Sequence, residues 1–98
     1  MLFMVINTDK PDTGELRAET RPPHVEYLKS LGDSLKLAGP FLAADGETAI
    51  GSLWIVEAEN IEAARAMAAG DPFAQAGLFE SCTVHPWRRA LGAGVDKL

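Results

Sequence analysis

A chain of 98 residues holds one domain with a modest core, and 47% hydrophobic against 23% charged residues is the balance of an ordinary globular protein, which excludes a disordered or fibrous one. The net charge of -5, with no basic run beyond Arg88-Arg89, argues against a nucleic-acid partner, since phosphate binding needs clustered lysines and arginines. Cys82 is the only cysteine, so there is no intramolecular disulfide and no thiol pair, and a reducing cytoplasm is the expected location.

The opening MLFMVINTDK has no basic leader and no small-residue cleavage site, and no apolar run approaches the roughly 20 residues of a membrane helix; neither export nor a membrane partner is expected. Residues 2 to 8, LFMVINT, read as a first strand, ended by the turn chemistry of DKPDTG. A helix is expected next, with Thr20 as cap, Pro22 and Pro23 near the first helical positions, and an apolar stripe of Val25, Leu28, Leu31 and Leu35, stopped by Gly39-Pro40. Residues 40 to 44 and 49 to 57 read as paired strands around Asp45-Gly46. A short alanine-rich helix follows, capped by Asn60 and closed by Gly70 in the left-handed conformation. DPFAQAG repeats that grammar on a smaller scale, with Asp71 as cap, Pro72 at the first helical position and Gly77 as terminator. LFESCTVHPW is the last strand, and residues 88 to 98 form a weakly ordered arm, leaving residues 1 to 87 as the domain.

Strand, helix, strand, strand, helix, strand is the βαββαβ order of an α+β, ferredoxin-like antiparallel sheet with its helices on one face. Strand one is apolar on both sides, Leu2, Met4 and Ile6 against Phe3 and Val5, and so is strand three, Leu53 and Ile55 against Ile50, Trp54 and Val56. A half-solvated sheet would alternate, so the face without helices is expected to meet a second copy in a homodimer.

Two residues could carry chemistry. His24 is expected in the first turn of the first helix, and Asp71 at the start of the DPF helix, where free N–H groups favour a carboxylate. If they meet, the carboxylate accepts from one imidazole nitrogen and the other becomes an acid or base, suited to proton abstraction and return. Each residue also has a plainer reading, as a surface histidine and as an ordinary helix cap. No cofactor is expected, because the glycines form no phosphate loop, and no metal, because His24, Asp71 and His85 lack metal-ligand spacing. Ser52 follows Gly51 without a nucleophile elbow and reads as a hydrogen-bonding pocket residue. Cys82, alternating with Val84, reads as a small buried residue.

The runs RPPHVEYLKSLG, AGPFLAADG and IGSLWIVEAENIEAARAMAAGDPFAQAGLFESCTVHPW together resemble the YCII-related (YciI-like) domain family from about Met1 to Trp87. The resemblance implies a dimeric α/β-barrel arrangement of the ferredoxin-like fold and an active site built on a His-Asp pair, at the positions of His24 and Asp71. It also implies a cleft to which Ser52, Pro40 and Phe73 contribute. The function expected is cofactor-free acid–base proton transfer (isomerisation, elimination or lactone-type chemistry) on a small cyclic or aromatic-derived metabolite. The alternative is a non-catalytic dimer that binds or regulates through the same cleft, and a third reading leaves His24 and Asp71 as helix caps alone.

Overall fold

The computed structural model describes all 98 residues. Strand β1 (Leu2–Asp9) leads to helix α1 (Gly14–Ser30), strands β2 (Leu35–Leu42) and β3 (Ala49–Glu57), helix α2 (Ile61–Ala69), a single helical turn α3 (Pro72–Gln75) and strand β4 (Phe79–Trp87). The four strands form one antiparallel sheet in the order β2-β3-β1-β4. This is the ferredoxin-like α+β fold. The tail carries one 3-10 turn, Val95–Lys97.

The first helix departs most from its sequence reading. It begins at Gly14, not near Thr20, so Pro22 and Pro23 lie inside it. Their missing N–H groups deprive the carbonyls of Ala18 and Glu19 of the usual partners, but both residues are exposed and water can replace the lost bonds. Its end is also earlier than Gly39-Pro40: the helix stops at Ser30, and Gly32 turns the chain with φ +58. Leu35 therefore leaves the helical stripe and pairs with Val56, and β2 starts there rather than at residue 40. Pro40 is tolerated in β2 because that strand is an edge of the sheet.

The β2–β3 turn, strand β3 and the short helices lie close to where the sequence puts them. Asp45 closes the β2–β3 loop, its carboxylate accepting from the backbone N–H groups of Glu47 (2.8 Å) and Thr48 (2.9 Å). Asn60 caps α2 through a bond from the Ala63 N–H at 2.8 Å. Gly70, however, has an ordinary φ of -76. Glycine is required there for space: a Cβ would strike the Tyr27 hydroxyl, which donates to the Met67 carbonyl at 2.8 Å.

Phe3, Val5, Trp54 and Val56 form the core from the sheet side, and Ala64 and Ala68 bring α2 close to it. On the opposite face, register places Leu37, Ile55, Met4 and His85 in one cross-strand row and Leu53, Ile6 and Thr83 in the next. Apolar side chains thus dominate that face on three strands, while β4 presents Thr83 and His85 with Trp87 at its end.

Candidate active site

Extending α1 back to Gly14 puts Arg17, Arg21, His24 and Leu28 at i, i+4, i+7 and i+11, along one face of the helix. That face lies over β2 and β3, and with Ala38, Pro40, Ser52 and Trp54 it walls a cleft of about 160 Å³. His24 is not in the first turn of α1, as its flanking prolines suggest, but roughly three turns in. It is buried, the only α1 residue that is.

Asp71 reaches the same ring from the other side. As the cap of α3 its carboxylate oxygen Oδ1 accepts from the Phe73 N–H at 3.0 Å, and it lies 2.7 Å from His24 Nδ1. Asp71 is completely buried. A carboxylate only accepts, so its bond assigns the proton to Nδ1 and leaves Nε2, which has no partner in the chain, as the ring's free nitrogen. Phe73 stacks on the imidazole with centroids 3.8 Å apart and planes 15° from parallel. Phe73 is itself fully buried behind the ring and forms no part of the cleft wall, whereas Ser52 and Pro40 do.

Arginine 17 ties this platform to the sheet. Its Nε donates to Asp9 Oδ2 at 2.8 Å, its Nη2 to the Gly51 carbonyl at 3.1 Å, and its guanidinium lies 4.9 Å from the Phe73 ring centroid. One helix side chain therefore braces β1, β3 and the ring under His24. Position 51 has room for glycine alone, because a Cβ would collide with the Phe41 ring and the Asn7 carbonyl oxygen. Asn7, inward-facing after Phe3 and Val5, donates through Nδ2 to Ser52 Oγ at 3.2 Å.

Two polar groups feel the Asp71 charge from behind. Burial, and then that charge, raise the Tyr27 hydroxyl above the ordinary phenol range. Partial desolvation against its neighbours, and then the same charge, raise the Cys82 thiol although the residue as a whole is exposed. Cys82 is exposed on β4, not buried as its alternation with Val84 suggests. It lines a larger cavity of about 470 Å³ with His85, Arg65 and the α2 alanines, which touches neither His24 nor Asp71. No three metal-ligating side chains come together, and no helix is long and apolar enough to cross a membrane.

Arg17, Arg21 and Asn7 are site residues that the sequence reading passed over. The signal for the arginines is their helical spacing from His24, visible only once α1 extends to Gly14; for Asn7 it is an amide in the inward register of an apolar strand.

The model of the YCII-related domain matches residues 1–88. The chain belongs to the YCII-related domain family. Protein YciI of Escherichia coli is 38% identical over an alignment that covers 93% of this chain and all of that one, and an uncharacterised protein of Haemophilus influenzae is 34% identical over the same shares. Among solved structures, the 5-chloro-2-hydroxyhydroquinone dehydrochlorinase TftG of Burkholderia phenoliruptrix, in complex with 2,5-dihydroxybenzoquinone, superposes with a TM-score of 0.85 at 32% identity. That match covers 92% of this chain and 96% of TftG. An antibiotic biosynthesis monooxygenase shares the fold at a TM-score of 0.52 and 15% identity, covering 87% of this chain and 94% of its own.

Proposed function

We propose that this YCII-related protein is an acid–base enzyme that works without a resident cofactor on a small single-ring metabolite. His24 takes a proton from the substrate through Nε2 and returns it or passes it on; Asp71 holds the ring in orientation and offsets the positive charge that proton uptake creates. The observation that carries the reading is the 2.7 Å contact between a histidine that borders a cleft and a carboxylate with no exposure to solvent. Keeping a carboxylate out of water is costly, and a cap alone does not need it, since exposed residues cap helices equally well.

The likeness to TftG supports the reaction class. Dehydrochlorination removes a proton and a chloride ion, so a base takes the proton while chloride leaves with the bonding pair, and no oxidant or reductant is required. Isomerisation, including that of a lactone ring with an acidic C–H, begins with the same proton transfer. The small cleft admits one ring at a time, as a cavity of about 150 Å³ holds one benzene.

The working form under this proposal is a cytoplasmic homodimer. The half-buried Met4, Ile6 and Leu53 and the 41% exposed Leu37 on the sheet face away from the helices support the dimer. Cys82, exposed and unpaired, supports a reducing compartment. Light scattering at micromolar concentration gives the mass of two chains; a single-chain mass there refutes the dimer.

The catalytic reading is tested by incubating the protein in deuterium oxide with single-ring phenols, quinols, cyclic enols and lactones, and following loss of C–H signal or new product by NMR. Wild type exchanges or converts at least one compound, and His24→Gln does not. Ligands that bind but are recovered unexchanged and unchanged establish the binding reading instead.

A further inference from the structure

The cleft's own lining is cationic and hydrogen-bond-donating, in a protein whose net charge is -5. Its walls hold Arg17 and Arg21 but no aspartate or glutamate. The nearby carboxylates, Asp9 and Asp71, sit one layer back and are already engaged, one by Arg17 and the other by His24 and the Phe73 N–H. Arg17 is thus neutralised by its partner. Arg21 is not: its exposed side chain forms no ion pair or hydrogen bond with any group of the chain.

Two uncharged side chains of the lining, Trp54 and Ser52, carry unused donors. Trp54 has no solvent exposure, yet its indole N–H has no acceptor in the protein. A buried donor of this kind costs free energy unless something accepts from it. Ser52 is buried, and its Oγ already accepts from Asn7 Nδ2, so the hydroxyl hydrogen remains to be given. The free nitrogen of His24 supplies the acceptor. A ligand that satisfies this set brings oxygen lone pairs and negative charge to the arginine side and an acidic hydrogen to the imidazole.

We propose that the cleft selects a single-ring oxyanion, a phenolate, enolate or carboxylate, and that Arg21 determines this specificity. The inference rests on the proton-transfer reading of the same site, because the oxyanion is what acidifies or stabilises the position from which His24 takes its proton. It is tested by binding alone. A guanidinium suits the role, since its planar fork gives two parallel N–H bonds to a carboxylate or to paired ring oxygens, and it remains charged at any working pH.

The full chain is titrated with benzoate and its neutral partner benzamide, and with 4-nitrophenolate and its neutral partner 4-nitroanisole, and backbone amide shifts are followed by NMR. Wild type binds at least one anion about tenfold more tightly than its neutral partner, a preference set between an exposed ion pair and a fully desolvated one. Which anion is favoured tells a carboxylate site from a phenolate one. In Arg21→Gln the preference falls to about twofold or less while affinity for the neutral partner is unchanged, and added salt narrows the wild-type gap. Arg21→Lys keeps part of the preference, because charge survives and the fork does not.

No binding of either anion, equal binding of anion and neutral partner, or an undiminished preference in Arg21→Gln overturns the proposal. So does an Arg21→Gln protein that loses the neutral ligand equally, for then the residue shapes the cleft and does not read charge. A wild type that favours the anion yet exchanges no proton refutes catalysis and leaves this inference standing.

Discussion

Replacing Asp71 in two ways separates its service to the fold from its service to His24. In Asp71→Ala the Phe73 N–H and the His24 Nδ1–H both lose their acceptor in a site closed to water. Loss of the cap costs about 1 kcal/mol and an unsatisfied buried donor about 1–3 kcal/mol, so a total of about 2–4 kcal/mol is expected. In a domain of this size that lowers Tm by roughly 10–30 °C. Asp71→Asn is different, because an amide oxygen in the place of Oδ1 can accept both bonds. The new NH₂ takes the place of the unpartnered Oδ2 as a buried donor without an acceptor, a cost of about 1–3 kcal/mol that the loss of a buried charge offsets. Stability should change by no more than ~1 kcal/mol. Proton transfer, by contrast, loses the charge that faces the imidazolium. Opposite charges about 4 Å apart at an effective dielectric near 20 gain about 4 kcal/mol, which is about three powers of ten in rate. The measurements are a thermal melt and the deuterium-exchange rate on the compound that wild type processes. Asp71→Asn that folds like wild type and also exchanges like wild type refutes the role assigned to the carboxylate. A Tm loss in Asp71→Asn as deep as that in Asp71→Ala refutes the argument that geometry alone satisfies the cap.

Other perturbations probe the frame around the pair. Gly51→Ala drives a methyl into the Phe41 ring and the Asn7 carbonyl, and because one obstacle is backbone of the neighbouring strand, a loss of about 3 kcal/mol in urea unfolding is expected; a loss below ~1 kcal/mol would show that β3 can shift. Cys82, raised by burial and by Asp71, should alkylate with a pH midpoint above the ordinary thiol value, and Asp71→Asn should move that midpoint downward; an unmoved midpoint means that position 71 carries no charge. Asp45 is held at about 2 by the Thr48 hydroxyl and by the Thr48 and Glu47 backbone N–H groups, below its ordinary 3.8. A depressed carboxylate stabilises the folded state above the unfolded value, so the β2–β3 loop should loosen as pH falls from about 4 through about 2; a side-chain NMR titration of Asp45 centred near 4 contradicts this.

The parts of the fold legible in the sequence were those written in hydrophobic period and cap grammar. Strand β3 lies where its apolar run places it, and α2 and α3 lie behind Asn60 and Asp71 as their caps dictate. Helix α1 was not legible in the same way, because residues 15–23, ELRAETRPP, offer only Leu16 as a large apolar residue and contain two prolines. A pattern method looks for an oily stripe facing the sheet, and here the inward face carries Arg17, Arg21 and His24. The same polarity hides the start of β2, since Leu31 and Leu35 continue the helical period of Val25 and Leu28 in the sequence. His24 and Asp71 could be named as residues of interest, but nothing in a separation of 47 positions shows contact; the α1–α3 packing decides that.

That polar inward face also explains how an acidic protein can present a cationic cleft. Each carboxylate near the site is placed behind a group that it serves: Asp9 behind Arg17, which braces the Phe73 ring, and Asp71 behind His24, which Phe73 supports. Their charges are consumed in hydrogen bonds at 2.7–2.8 Å, while the front of the cleft keeps the unpaired guanidinium and unpartnered donors. Swapping the layers would put carboxylates against the ligand and repel an oxyanion. The core and the site are therefore solved by one arrangement. Helix α1 carries so little apolar surface because its inward polar groups are paired across two strands and a helical turn, and those pairings hold the imidazole where a ring-sized substrate would meet it.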